Sequence, residues 1–147
     1  MTFTLADAVH VARRAHEGQV DKCGRPYIEH PLRVMARVEG EGLAEQMAAV
    51  LHDVVEDTSV TVDQLASLGC PPIVVRAVTA LTHLPDEPQS SYLSRVAADP
   101  IALTVKRADI ADNLSPDRSS ELHPATRERL RTKYETALRL LDHYTNG

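Results

Sequence analysis

Leu51-His52-Asp53-Val54-Val55-Glu56-Asp57-Thr58 sets a His-Asp pair and, one helical turn later, a Glu-Asp pair into an otherwise apolar run. Residues four apart stack along a helix, so a helical reading puts His52 and Glu56 on one face, with Asp53 and Asp57 beside them. Carboxylates gathered against a core are costly unless a cation or bound protons offset their charge. A divalent metal meets that cost, because imidazole and carboxylate are its usual ligands. On the octet alone a second reading stays open, a solvated helix C-terminus followed by a turn.

The rest of the chain bounds the answer. Its 147 residues are 43% hydrophobic and 25% charged, which suits one globular domain over residues 1–147 with a substantial core. Aromatic residues are scarce: one Phe, four Tyr and no Trp. The core must then come from Leu, Val, Ile and Ala, as in packed helices, and a base-stacking platform for single-stranded nucleic acid is disfavoured. A net charge of −5 argues against a broad basic face for duplex DNA or RNA, while leaving room for a local cation cluster that holds a small anion. Cys23 and Cys70 have neither metal-type spacing nor a disulfide framework. With no long apolar run and no leader-like N-terminus, the expectation is a cytoplasmic protein with no nucleic-acid or membrane partner.

Hydrophobic periodicity predicts successive helices with short connections. Thr4 caps a first helix carrying Leu5, Ala8, Val9, Ala12 and Ala15, which stops near Gly18. Residues 19–30 form a loop, and Pro31 suits the first position of a second helix. A third helix runs from about Leu43 into the His-Asp/Glu-Asp octet. Thr61 and Gln64 have capping-box spacing, and Pro71-Pro72 open a helix through Leu81. Residues 83–90 are the clearest loop, with scope for movement, followed by a helix around Tyr92–Ala98. The apolar run at 101–105 has β-propensity, but no partner strand is evident, so helix is preferred from Pro100 onward. A last helix spans about Pro124–Tyr144. The fold expected is all-α.

Ligand-type side chains lie in three separate places. His30 closes the first long loop, His52 and Asp53 sit on the third helix, and Asp109 interrupts an apolar helix with Asn113 one turn on. Two imidazoles and two carboxylates make a mixed N/O shell for Mn²⁺, Fe²⁺, Zn²⁺ or Mg²⁺. His10, His16, His83, His123 and His143 read as surface or helix-end residues.

The order of these pieces is specific. Ala15-His16-x-Gly18-Gln19-x-x-Lys22-x-Gly24-x-Pro26-Tyr27-Ile28-x-His30-Pro31 comes first, then the octet, then Val105-Lys106-x-Ala108-Asp109-x-x-x-Asn113. This series resembles the hydrolase domain of the RelA/SpoT family and, in length, the stand-alone small alarmone hydrolases. Both belong to the HD-domain metal-dependent phosphohydrolases. The resemblance implies a single HD-type helical bundle with a metal site at its centre. It implies His30, His52, Asp53 and Asp109 as metal ligands, with Mn²⁺ the family's usual ion, and Glu56 and Asp57 as the catalytic pair acting on the attacking water. Lys22 falls where the family contacts substrate phosphate or base, and Asn113 where it contacts the nucleoside. The reaction implied is removal of the 3′-pyrophosphate from guanosine tetra- or pentaphosphate, giving GDP or GTP. Lys106 and Arg107 are further candidate counter-charges for so anionic a nucleotide.

Among the departures from the family's pattern, three change the chemistry of a side chain near the expected site. Asp21 replaces a basic residue, Cys23 replaces a serine, and Asp112 replaces the histidine of the third motif. These changes bear on nucleotide preference and leave the metal residues intact. Asp21 and Asp112 favour an alternative, a phosphohydrolase acting on the sugar phosphate of another nucleotide such as NADPH. A non-catalytic nucleotide sensor is the alternative from another class, and Glu56 and Asp57 argue against it, since a sensor needs no water-activating pair.

Overall fold

The run Leu43–Leu51 forms α3, and Met47, Ala48, Ala49, Val50 and Leu51 are all buried, so the C-terminal half of this short helix is enclosed on every side and sits at the centre. The computed structural model describes residues 2–146, without the side chain of Asp117. Around α3 pack α1 (Leu5–Ala15), α2 (Glu29–Arg37), α6 (Pro72–Leu81) and α8 (Pro100–Leu114). The remaining elements are α4 (Val54–Asp57), α5 (Val62–Ser67), α7 (Gln89–Ala97), α9 (Pro116–Ser119) and α10 (Pro124–Asn146). The described residues hold no strand beyond an isolated bridge between Val20 and Pro26, and no helix is long and apolar enough to cross a membrane. The fold is all-α, as the periodicity predicts.

Local chemistry explains the boundaries. Thr4 with Asp7 and Thr61 with Gln64 form reciprocal capping boxes at the starts of α1 and α5. Proline occupies the first turn of α6 and α8, and the Asp99 carboxylate accepts from the Ala102 N–H at 3.0 Å to finish the α8 cap. Gly18, at φ 81°, turns the chain just before the Val20–Pro26 bridge, and Gly24, at φ 80°, turns it inside the loop that the bridge closes, which folds the first loop back towards the octet. Residues 101–105 are helical, with Ala102 and Val105 in the core.

Three expectations need correction, and one element was not foreseen. The second helix begins at Glu29, so His30 lies in its first turn and Pro31 is its third residue. First-turn N–H groups have no intrahelical acceptor, so proline is tolerated there beyond its favoured first position. The third helix does not continue through the octet: it ends at Leu51 and resumes at Val54. The ring Nδ1 of His52 reaches the Ala49 carbonyl at 2.6 Å and competes for an acceptor the helix would use. α9 was not anticipated. Finally, the loop before α7 is tied down. The His83 N–H donates to Glu56, its ring stacks on Tyr92 at 4.4 Å, and Glu87 is paired with Arg95.

Candidate metal centre and cleft

Four ligand-type side chains from three elements meet over the centre of the bundle. The first turn of α2 supplies His30, the α3–α4 break supplies His52 and Asp53, and the middle of α8 supplies Asp109. Leu51 and Val54 on either side of the break are fully buried, as are Val105 and Ile110 around Asp109, so core packing fixes each backbone segment. His30 Nε2 lies 2.8 Å from Asp109 Oδ1 and 3.8 Å from Asp53 Oδ2. His52 Nε2 lies 3.2 Å from Asp109 Oδ1 and 3.1 Å from Asp53 Oδ2.

Both imidazoles are oriented from behind. His52 Nδ1–H donates to the Ala49 carbonyl, and His30 Nδ1–H donates to the Asp112 carboxylate at 2.7 Å. Each ring therefore turns Nε2 inward, the arrangement that metal-ligating histidines adopt. The Tyr27 hydroxyl donates to Asp53 Oδ2 at 2.6 Å, and Asn113 Nδ2 donates to Asp109 Oδ1 at 3.2 Å. One ligand atom from each of His30, His52 and Asp109 falls within a 4.8 Å cluster, and the same holds for Asp53, Glu56 and Asp57. Two inward-facing ring nitrogens, the buried Asp109 carboxylate and the half-buried Asp53 carboxylate suit a divalent cation.

The electrostatics match. Burial alone would raise the Asp53 and Asp109 carboxyls, but His52 beside Asp53, and Lys106 with His52 beside Asp109, hold both well below the usual range. Burial would lower His52, yet Asp53 and Asp109 outweigh it and raise it well above an ordinary histidine. These groups share protons in a cluster that a cation would relieve of them. Lys106 Nζ sits 3.0 Å from Asp109 Oδ2 and above the Tyr92 ring, and although burial would lower the lysine, the Asp109 charge keeps the Lys106 ammonium above its ordinary pKa.

The cluster opens into a cleft of about 680 Å³. Glu56 and Asp57 line it on one side, while Lys106, Arg118 and Lys133 supply positive charge. Asp57 is pushed up to about 6 by partial burial and by the charges of Asp53 and Glu56. Its carbonyl is held by Gln19 Nε2 at 3.0 Å, and Gln19 is in turn held by His16 Nδ1 at 2.8 Å. A neighbouring recess of about 370 Å³ shares Asn113, Arg118 and Tyr134 with the cleft and adds Asp21 and Lys22.

The structure thus gathers His30, His52, Asp53, Asp109, Glu56, Asp57, Lys106 and Asn113, with Lys22 in the adjoining recess. Arg107 is not among them. One residue along α8 from Lys106, it faces another way and pairs with Asp142 of α10 at 2.9 Å. His16 is buried rather than on the surface, and His83 lines the cleft. Asp112 is fully buried behind His30, bound to Arg33, and lies outside the cleft lining. It therefore bears on a ligand-type residue rather than on the nucleotide side. Sequence reasoning missed Tyr27, Arg118, Lys133 and Tyr134. Tyr27 stood inside the first motif, whereas the other three belong to no local pattern.

Known proteins similar to this chain share its sequence and fold over the following spans. The guanosine-3′,5′-bis(diphosphate) 3′-pyrophosphohydrolase of Haemophilus influenzae is 49% identical over 57 residues, covering 37% of this chain and 8% of that protein. The bifunctional (p)ppGpp synthase/hydrolase SpoT of Escherichia coli is 46% identical over 66 residues, covering 44% of this chain and 9% of its own length. A GTP pyrophosphokinase of Streptomyces coelicolor is 35% identical over 119 residues, covering 73% of this chain and 14% of that protein. The chain thus spans a small fraction of the length of these relatives. In fold it is similar to a solved metazoan ortholog of SpoT, with a TM-score of 0.78 at 24% identity over 93% of this chain and 84% of that one. Residues 8–112, from the first helix to Asp112 and including all four converging ligand-type side chains, match the HD domain family, and the chain belongs to that family.

Proposed function

We propose that this chain is a metal-dependent phosphohydrolase that removes the 3′-pyrophosphate from guanosine tetra- or pentaphosphate, with Mn²⁺ as its ion. The observation that carries the reading is one cleft with an imidazole–carboxylate cluster at its floor, a carboxylate pair on one side, and Lys106, Arg118 and Lys133 around it. The 3′-pyrophosphohydrolases among its relatives support the substrate.

His30, His52, Asp53 and Asp109 would hold the ion. A bound divalent cation lowers the pKa of its water and offsets charge on phosphoryl oxygens. Glu56 and Asp57 take up the proton of the attacking water. Asp57, raised to about 6, is suited to that work near neutrality, and Glu56 is steadied by the His83 N–H at 2.6 Å. Lys106, Arg118 and Lys133 balance the phosphates, while Lys22 and Asn113 border the recess into which the nucleoside would extend. Because Lys106 is already fixed by Asp109, little side-chain ordering remains for the substrate to impose.

The test is product identity. Incubated with Mn²⁺ and a nucleotide panel, the protein should release pyrophosphate from guanosine tetraphosphate, leaving GDP. Orthophosphate from NADPH instead would move the assignment to the other nucleotide class. No turnover of any nucleotide, with substrate still bound, would make it a sensor.

A further inference from the structure

Asp112 is the most deeply buried carboxylate described, and it does not itself line the cleft but stands behind His30, which does. It stands where the resembled family carries histidine, so its role has to be read from its contacts. Oδ2 accepts from His30 Nδ1 at 2.7 Å, and Oδ1 accepts from Arg33 Nε at 2.9 Å. Arg33 Nη2 adds a bond to Oδ2 at 3.2 Å, and Arg37 Nε lies 3.5 Å from Oδ1. His30, Arg33 and Arg37 are spaced at one-turn intervals along α2, so a single face of that helix presents three donors to one carboxylate on α8. Asp109, one turn before Asp112 on α8, reaches the other ring nitrogen of His30 at 2.8 Å. α8 therefore grips the imidazole at both ends.

We propose that Asp112 is a positioning residue which, through the buried His30–Asp112–Arg33 chain, fixes the His30 tautomer and ring plane so that Nε2 presents a lone pair to the metal. This rests on the metal-site reading above. An ionised carboxylate can only accept, so the His30 proton is held on Nδ1 and Nε2 is left for a cation. Arg33, with a quarter of its side chain exposed, supplies the charge that keeps Asp112 ionised in the core. A purely structural ion-pair staple between α2 and α8 would use the same arginine contacts but would leave metal affinity unaffected.

The test measures metal rather than turnover. Zn²⁺ affinity is determined by chelator competition for wild type, D112N, R33M and D109A, with folding followed by circular dichroism. Asparagine must turn its NH2 either on the Arg33 Nε–H or on the His30 Nδ1–H, and it lacks the charge that holds the imidazole proton, so D112N should weaken Zn²⁺ binding by about 10–100-fold. R33M leaves the carboxylate on His30, and should lower the melting temperature while keeping metal affinity within a few-fold. D112N with wild-type affinity, while D109A loses the metal, overturns the proposal and leaves the metal site standing. Retention of Zn²⁺ by D109A overturns both. Nitrogen-15 NMR of Zn²⁺-loaded wild type is independent of any variant's folding. It should show His30 protonated at Nδ1, and a proton on Nε2 instead overturns the assignment.

Discussion

Replacing Lys106 with methionine tests whether the carboxylate cluster is charge-strained without a cation. Methionine keeps the helix propensity and most of the stem volume of lysine, so the change removes the charge and little else. The ammonium lies 3.0 Å from Asp109, and the two side chains are 16% and 8% exposed, so solvent screens the pair weakly. Two unit charges about 4 Å apart interact by ~4 kcal/mol at an effective dielectric of about 20, and breaking a buried pair by deleting one partner costs about 3–5 kcal/mol. Taking the lower figure of ~3 kcal/mol, at roughly 2–4 °C per kcal/mol for a chain of this size, K106M should melt about 6–12 °C below wild type in EDTA. Saturating Mn²⁺ should narrow that gap, because the cation supplies the positive charge that the variant lacks and stabilises by mass action. The assay is a pair of thermal melts, with EDTA and with Mn²⁺. K106M melting with wild type in EDTA, or a gap unmoved by Mn²⁺, would refute the picture of an under-compensated cluster.

Glu56→Ala and Asp57→Asn should each retain metal by elemental analysis while turnover falls about 10²-fold or more, the loss expected when a positioned base is removed; wild-type turnover in either would remove it from the water-activating role. Asp57, raised to about 6 from an ordinary 3.8, binds its proton more tightly folded than unfolded. Its contribution to stability is therefore present below about pH 4 and lost as pH rises through about 6, whereas Asp53 and Asp109, lowered in the fold, contribute the opposite slope only under more acid conditions. In EDTA the melting temperature of wild type should fall relative to D57N between pH 4.5 and 7, and parallel curves would contradict this. Asp21 Oδ1 accepts from the Cys23 and Arg25 N–H groups, so an arginine there would undo the turn, but D21N can keep it while removing the charge. With ~2 kcal/mol for a charge pair about 8 Å apart before salt screening, D21N should lower the KM for guanosine tetraphosphate several-fold. An unchanged KM would show that Asp21 serves the turn alone.

Much of the fold was legible because its signals are local. Thr4 with Asp7, Thr61 with Gln64, and the prolines opening α6 and α8 act within one turn of the residues that reveal them. The helix break at His52 was not legible, since apolar spacing around Leu51 and Val54 carries no sign that a ring nitrogen will compete for the Ala49 carbonyl. In the site, His30, His52, Asp53 and Asp109 are each weak signals alone, and it is the order of the three motifs, with the resemblance it carries, that marks them together. Lys106 and Arg107 look equivalent on paper, but adjacent helix positions point about 100° apart, and only packing decides which meets the cleft. His16 gave no hint of burial, because its partner Gln19 belongs to a loop whose return path depends on the distant Val20–Pro26 bridge.

The break between α3 and α4 has a further consequence for how the centre tolerates change. In an unbroken helix, neighbouring side chains diverge, yet here His52 Nε2 and Asp53 Oδ2 lie 3.1 Å apart and face the same point. Two consecutive codons thus act as the two jaws of one pincer, and the hinge of that pincer is the histidine's own bond to Ala49. A substitution at His52 removes a jaw and straightens the hinge together, so the contributions of ligand and backbone at this position are inseparable by point mutation. Any lineage that keeps the pincer must keep both residues as a unit, because neither is useful in the geometry the other would leave behind.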